Sequence, residues 1–312
     1  MTSELPNFGT VVTAMVTPYD ENLELDLDGA QELANWLAAH GSDSIVVCGS
    51  TGEGSILSDG EREQLLKVVS SSVSIPVIAA TGSGSTDHSI ELTKMAAKSG
   101  AAGILLVTPY YVRPSQQGLL DHFTQVARCT DLPVLLYDIP ARTGRRIELD
   151  TTIRLAGEVP NIIGLKDASG DVAGISKLRG STEPDFMIYA GDDALCLAMV
   201  ACGADGIISV ASHWAGLEIQ AMIGALRSGD VKKSSEFNWA LTPSWEFESM
   251  ESAPNPIPTK AMLRMLSKPS GYCRAPLGRG PEGLDEEAQL ILSQLHRTVE
   301  KLGLKIVRDQ TK

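Results

Sequence analysis

Between Gly9 and about Ser228, short apolar runs rich in β-branched residues alternate eight times with longer helix-like stretches. That rhythm leaves few folds open to the chain. The runs are Thr10 to Thr17, Ser44 to Cys48, Pro76 to Ala80, Gly103 to Val107, Val134 to Asp138, Ile162 to Lys166, Met187 to Gly191 and Gly206 to Val210. Strands separated by helix-length connections pair in parallel, and eight such units close into a (β/α)8 barrel. The second helix opens at Ser58-Asp59-Gly60-Glu61, a serine with an acid three residues on, which is the pattern of a capping box. Past Ser228 the strand pattern stops. Helical segments over about Val231 to Ser249, Thr259 to Ser267 and Asp285 to Lys301 take over, separated by Pro254-Asn255-Pro256-Ile257-Pro258 and by the Gly- and Pro-rich Ser270 to Gly283. At 312 residues the chain has room for one barrel of about 250 residues plus an appendage. The division predicted is a barrel over 1–228 and a C-terminal helical appendage over 229–312.

The formal net charge of −13 excludes nucleic acid and an anionic membrane surface as partners, because both require clustered lysine and arginine. It does not exclude a small anionic substrate, which responds to the few cations inside a cleft. No apolar run approaches the roughly 20 residues of a membrane-spanning helix. The beginning of the chain, Met1 to Pro6, lacks the pattern of a secretory signal, so a cytoplasmic location is expected. The five cysteines have neither metal-ligand nor disulfide-framework spacing and read as reduced thiols.

In barrels of this kind chemistry gathers where strands end, and so do the unusual residues here. Strand two runs into Gly49-Ser50-Thr51-Gly52-Glu53, a turn whose backbone N–H groups and hydroxyls suit a carboxylate, though a bland Gly-Ser turn has the same composition. Strand four ends in Thr108-Pro109-Tyr110-Tyr111, and strand five in Tyr137 with Pro140-Ala141-Arg142-Thr143-Gly144 beyond it. Tyr137, Ser50 and Tyr111 make a plausible proton relay, the alternative being core aromatics with satisfied hydroxyls. Arg142 offers a planar fork for a carboxylate, or a surface ion pair. Strand six ends in Lys166. An ammonium taken out of water loses solvation that the neutral amine does not need, so a nucleophilic amine becomes available near neutral pH, the requirement for a Schiff-base lysine. A lysine that merely marks a strand's exit into solvent is the alternative. Of the five histidines only His213, after strand eight, could face the site, and no carboxylate or second histidine accompanies it at ligand spacing, so no metal is expected. Asp192 and Asp193 serve as helix N-cap groups as readily as an acid pair.

Taken together, Gly-Ser-Thr-Gly-Glu, Val-Thr-Pro-Tyr-Tyr followed by Arg113 to Gln116, Tyr-Asp-Ile-Pro-Ala-Arg-Thr-Gly, Gly-Leu-Lys-Asp-Ala-Ser-Gly, Ala-Gly-Asp-Asp and Gly-Ile-Ile-Ser-Val resemble the dihydrodipicolinate synthase and N-acetylneuraminate lyase superfamily from about Gly9 to Pro258. The resemblance implies a homotetramer of barrels in which Lys166 condenses with pyruvate, with no external cofactor. It implies that Thr51 and nearby N–H groups hold the pyruvate carboxylate, and that Gly191 and the Ile208 carbonyl border the substrate. It further implies that Tyr111 reaches into a neighbouring subunit's site. Arg142 stands where the synthases hold the carboxylate of aspartate semialdehyde, whereas neuraminate lyases usually lack an arginine there. Ser50 departs from the synthases, which typically carry threonine, and the same motif is common in the lyases. The implied activity is condensation of pyruvate with L-aspartate 4-semialdehyde in lysine and diaminopimelate biosynthesis. A lyase or aldolase acting on another 2-oxo acid, and a catalytically idle barrel that binds one, are the alternatives. In relatives inhibited by lysine, a glutamate and an asparagine near the tyrosine matching Tyr110 hold the effector. His88 and Gly84 occupy those positions here, and Asp59 and Arg62 replace two histidines, so weak or absent inhibition is expected.

Overall fold

The structure, a computed structural model, describes residues 7–304. Eight parallel strands close into a barrel in sequence order. They are β1 (Val11–Ala14), β2 (Ser44–Val47), β3 (Val77–Ala80), β4 (Gly103–Val107), β5 (Val134–Asp138), β6 (Ile162–Asp167), β7 (Met187–Ala190) and β8 (Gly206–Ser209). All eight expected strands are present, and the first is shorter than the apolar run that announces it.

Alternation along each strand builds two cores. Residues facing inward, among them Val12, Val46, Ile78, Leu105, Leu135 and Ile208, fill the barrel, while their neighbours pack against the surrounding helices. Phe8 closes the N-terminal mouth. Its ring occupies the space that a side chain at Gly103 would need, since a Cβ there would lie 2.6 Å from Phe8 Cζ. The Tyr189 hydroxyl donates to Gly9 O beside it.

The helix after β2, α2 (Asp59–Ser72), carries the expected capping box: Glu61 N–H donates to Ser58 Oγ, and the Glu61 carboxylate accepts from Ser58 N–H. Asp192 caps the turn after β7 by accepting from Ala194 N–H. After β8 come α9 (Ser212–Arg227), α10 (Val231–Glu248), α11 (Ile257–Met265) and α12 (Leu284–Lys301). Helix α11 starts two residues before the expected Thr259 because Pro258 falls in its first turn, where no N–H is needed. Helix α10 packs along α9, tied by Trp214 Nε1 donating to Ser244 Oγ, and α12 lies against α10 and α11. Among the described residues no helix is long and apolar enough to cross a membrane.

Candidate active site

Lys166 faces into the barrel because β6 carries one extra residue. Val134 pairs with Ile162, but Leu135 then pairs with Gly164, so the register shifts by one across Ile163. Ile163 points inward and Leu165 outward. Without the shift, the alternation that puts Ile163 inside would put Leu165 inside as well and turn Lys166 toward the helices. Gly164 makes the bulge possible, since a Cβ there would lie 2.4 Å from Met187 O and 2.7 Å from Leu135 Cδ2. Beyond the bulge Tyr137 pairs with Lys166. Both side chains point inward, each only 5% exposed, with the Lys166 Nζ 4.4 Å from the centre of the Tyr137 ring. Their sequence neighbours Asp138 and Asp167 face the helix layer instead, where burial pushes the Asp138 carboxyl up to about 7.

The turn after β2 is wound tightly and flanked by two non-glycine residues in the left-handed region, Cys48 at φ 59° and Glu53 at φ 54°. Gly54 N–H donates back to Gly49 O, and a Cβ on Gly54 would sit 1.9 Å from Cys48 O, so only glycine fits. Among the described residues the N–H groups of Ser50 and Thr51 donate to no protein acceptor. Ser50 is exposed to the cavity, while Thr51 is 4% exposed and accepts a hydrogen bond at 2.9 Å from Asn255 Nδ2.

Glu53 ends the motif fully buried. Its carboxylate pairs with Lys260 Nζ at 2.7 Å and accepts from Arg274 N–H at 2.9 Å. Burial pushes the Lys260 ammonium below its ordinary value, and Glu53 opposes that shift. Tyr19 lies against both Lys260 and Arg274, with its ring centre 4.1 and 4.3 Å from them.

A cavity of about 480 Å³ opens at the C-terminal end of the barrel. Ser50, Tyr137, Arg142, Tyr110 and Asn255 are among the residues that line it. Arg142 sits on the short helical turn α5 (Pro140–Thr143), which ends at Gly144 with φ 72°, and its guanidinium donates to Asn255 O at 3.2 Å. Lys166 adjoins the cavity through Tyr137. Ile208 lies inside the barrel in the same cluster as Tyr137, and Gly191 N–H donates at 2.7 Å to the carbonyl of Asp167, next to Lys166; neither residue lines the cavity wall.

Tyr111, expected in the proton relay, points away from the chain's own cavity. It is 93% exposed, at φ 72°, and Val112 N–H donates to Tyr110 O across it, which is the strained form of γ-turn. His213 is buried at the start of α9, its Nδ1 against Val210 O and its Nε2 accepting from Val16 N–H, so it serves the backbone and not the cavity. At the rim, His88 Nε2 contacts both Asp59 oxygens at 3.1 Å, and Gly84 lies beside Tyr110 O. Arg62 is buried and donates to Gly54 O and Ala80 O.

Sequence reasoning reads Glu53 only as the last letter of its motif and misses Asn255 and Lys260. Lys260 leaves a usable signal, since it sits in the apolar stretch Ile257 to Leu263 with no acid within a helical turn. A cation on such a face needs a distant partner.

The model of the dihydrodipicolinate synthetase family matches residues 7–295. The chain belongs to that family. It is 45% identical over 296 residues to the 4-hydroxy-tetrahydrodipicolinate synthase of Microcystis aeruginosa, a match covering 94% of this chain and 99% of the relative. The synthase of Bacillus subtilis is 42% identical over 289 residues, covering 92% and 98%. Among solved structures, the enzyme of Cyanidioschyzon merolae, crystallised with lysine bound, superposes with a TM-score of 0.90 at 41% identity over 93% of this chain and 98% of that one.

Proposed function

We propose that the chain is a 4-hydroxy-tetrahydrodipicolinate synthase, which condenses pyruvate with L-aspartate 4-semialdehyde through an imine on Lys166. The observation that carries the mechanism is the pairing of Lys166 with Tyr137 inside the barrel, 4.4 Å from ammonium to ring centre, with Arg142 on the wall of the cavity above. The Lys166 amine attacks the keto carbon of pyruvate and water leaves as the imine forms. Thr51 and the N–H groups of its turn hold the pyruvate carboxylate as charge shifts. Loss of a methyl proton gives an enamine, whose carbon bonds to the aldehyde carbon of the second substrate. The new alkoxide takes up a proton. The semialdehyde's own amine then adds to the imine carbon, the ring closes, and the Lys166 amine is released.

Tyr137 and Ser50 move the protons, with Tyr111 supplied by a neighbouring copy in a homotetramer. The 93% exposure and strained backbone of Tyr111 support that role, since the residue is held rigidly away from its own cavity. Arg142 takes the carboxylate of the semialdehyde in its planar fork. The cytoplasm is the compartment proposed, where both substrates are metabolic intermediates.

Borohydride added with pyruvate should reduce the imine to a secondary amine, and mass spectrometry of the peptides should place the adduct on Lys166. An adduct on another lysine would overturn the assignment. Arg142→Ala should cost about 10- to 100-fold in kcat/KM for the semialdehyde, the loss of one charge-assisted hydrogen bond, and leave imine formation intact. Ser50 favours one competing reading, so N-acetylneuraminate cleavage is the control: turnover of that sugar in preference to the condensation would make the chain a lyase.

A further inference from the structure

Asn255 lies at the centre of contacts that neither the family match nor the reaction assigns. It sits between two prolines at the entrance to α11 and touches the two groups proposed to hold the two substrate carboxylates. Its side-chain Nδ2 donates to Thr51 Oγ1 at 2.9 Å, and its backbone carbonyl accepts from the Arg142 guanidinium at 3.2 Å. These contacts span 204 and 113 positions of sequence. The orientation of the amide is set from the other side, where Thr259 Oγ1 donates to Asn255 Oδ1 at 3.0 Å.

A threonine hydroxyl has one proton and can both donate and accept. With Asn255 Nδ2 donating to it, the Thr51 oxygen is engaged as an acceptor on that side, and its own proton is directed elsewhere. A carboxylate accepts only, so Thr51 can bind one only by donating. The amide therefore sets the polarity of the hydroxyl, not merely its place.

We propose that Asn255 is a positioning residue for both substrates: it turns the Thr51 hydroxyl into a donor for the pyruvate carboxylate and, through its carbonyl, fixes Arg142 for the carboxylate of the second substrate. The next turn of α11 anchors the arrangement, because Lys260 is buried against Glu53, two residues from Thr51. The distance between the two proposed carboxylate sites is thus set through one residue of the connection that enters α11. The inference rests on the proposed reaction, and the experiment separates the two.

Asn255→Asp keeps the shape but replaces the donor by an acceptor, so the Thr51 hydroxyl turns toward residue 255 and away from pyruvate. In an enzyme whose wild type is first shown to trap pyruvate on Lys166, this variant should raise the KM for pyruvate about 10- to 100-fold, the loss of one charge-assisted hydrogen bond, with a smaller change in kcat. The defect relative to wild type should shrink as pH falls, since a protonated carboxyl at 255 donates again. A structural role would lower kcat and thermal stability together and show no such pH dependence.

Asn255→Ala, in the wild type and in a Thr51→Val background, carries the test if the charged variant does not fold. The alanine change should cost about 10-fold in kcat/KM for pyruvate with Thr51 present and less than about 3-fold without it, because coupled residues are not additive. Equal costs in the two backgrounds, or a wild-type KM and pH profile in Asn255→Asp, would overturn the inference while leaving the proposed reaction standing. Failure of the wild type to trap pyruvate on Lys166 would instead sink the reaction, and the inference with it.

Discussion

Lys166 and Tyr137 owe their positions to strands that lie side by side, whereas Thr51 and Glu53 owe theirs to residues more than 200 positions further along the chain. The first pair is placed by register: a bulge at Ile163 and Gly164 turns one side chain inward, and the ladder does the rest. The second is placed by capture, with Asn255 on the Thr51 hydroxyl, and Lys260 and the Arg274 N–H on the Glu53 carboxylate. Register is stiff and local, because moving one inward residue means moving a whole strand. Capture depends on the turn after β2 staying in contact with chain that lies beyond the barrel strands. Lys166, the proposed nucleophile, is thus built into the barrel, whereas the turn proposed to hold a carboxylate is held by α11 and the connections on either side of it.

The comparison is most exposed at Lys260. Lys260→Met should leave the Glu53 carboxylate buried without its cation and cost about 3 to 5 kcal/mol in urea unfolding, the usual penalty for breaking a buried pair from one side. Adding Glu53→Gln should recover part of it. If the single variant unfolds like wild type, the turn is not held by capture.

At the other region, Gly164→Ala places a methyl group against Met187 O and Leu135. Overpacking of this kind costs about 1 to 3 kcal/mol, and the strand can relieve it only by shifting its register. Borohydride trapping on Lys166 should fall more than the melting temperature suggests. Full trapping with a modest loss of stability would show that the lysine finds its place without the bulge.

A smaller effect concerns the place where α10 meets the turn after β7. At the end of α10, Glu248 is buried against Asp193, which in turn accepts from Ser209 Oγ and Val210 N–H. Burial raises both carboxyls, Glu248 well above its ordinary 4.5, and the hydrogen bond between them requires a proton. The folded chain therefore keeps a proton that the unfolded chain gives up above about pH 4.5. The stability this contributes is complete below that pH and is lost as pH rises toward the folded value, by at most about 1.4 kcal/mol per pH unit. Glu248→Gln carries its own donor, so its unfolding free energy should fall less steeply above pH 5 than that of wild type. Parallel pH profiles would mean that no proton is held there.

The smallest effect is expected from free lysine. Asp59 already faces His88, and Gly84 offers no side-chain amide beside Tyr110, so an ammonium at this rim finds little uncommitted charge. Half-inhibition should lie above about 1 mM, equivalent to binding weaker than roughly −4 kcal/mol. A lower value would reveal a pocket built from other groups.

Legibility in the sequence follows the same division. Eight strands, the Ser58 capping box and the strand-end position of Lys166 are all readable, because each depends on residues within a few positions of one another. The direction of Lys166 is less so: simple alternation from Ile163 gives the wrong face, and only Gly164 hints at the extra residue. Asn255 is unreadable as a site residue. Two prolines mark it as part of a rigid connection, and nothing local says that the connection returns to the turn after the second strand. Tyr111 lies between these cases, since its chemistry is evident while its exposure depends on a backbone angle that tyrosine rarely adopts.

The pairing of Glu53 with Lys260 also sets an order of events during synthesis. All eight strands leave the ribosome before Lys260 does, so a nascent barrel can close around its nucleophile while the carboxylate turn still lacks its anchor. At about 5 to 20 residues per second, the roughly 50 residues from the end of β8 to Lys260 correspond to an interval of about 2.5 to 10 s. Throughout that interval a carboxylate destined for a dry interior remains in water, which is the cheapest place for it until its cation arrives.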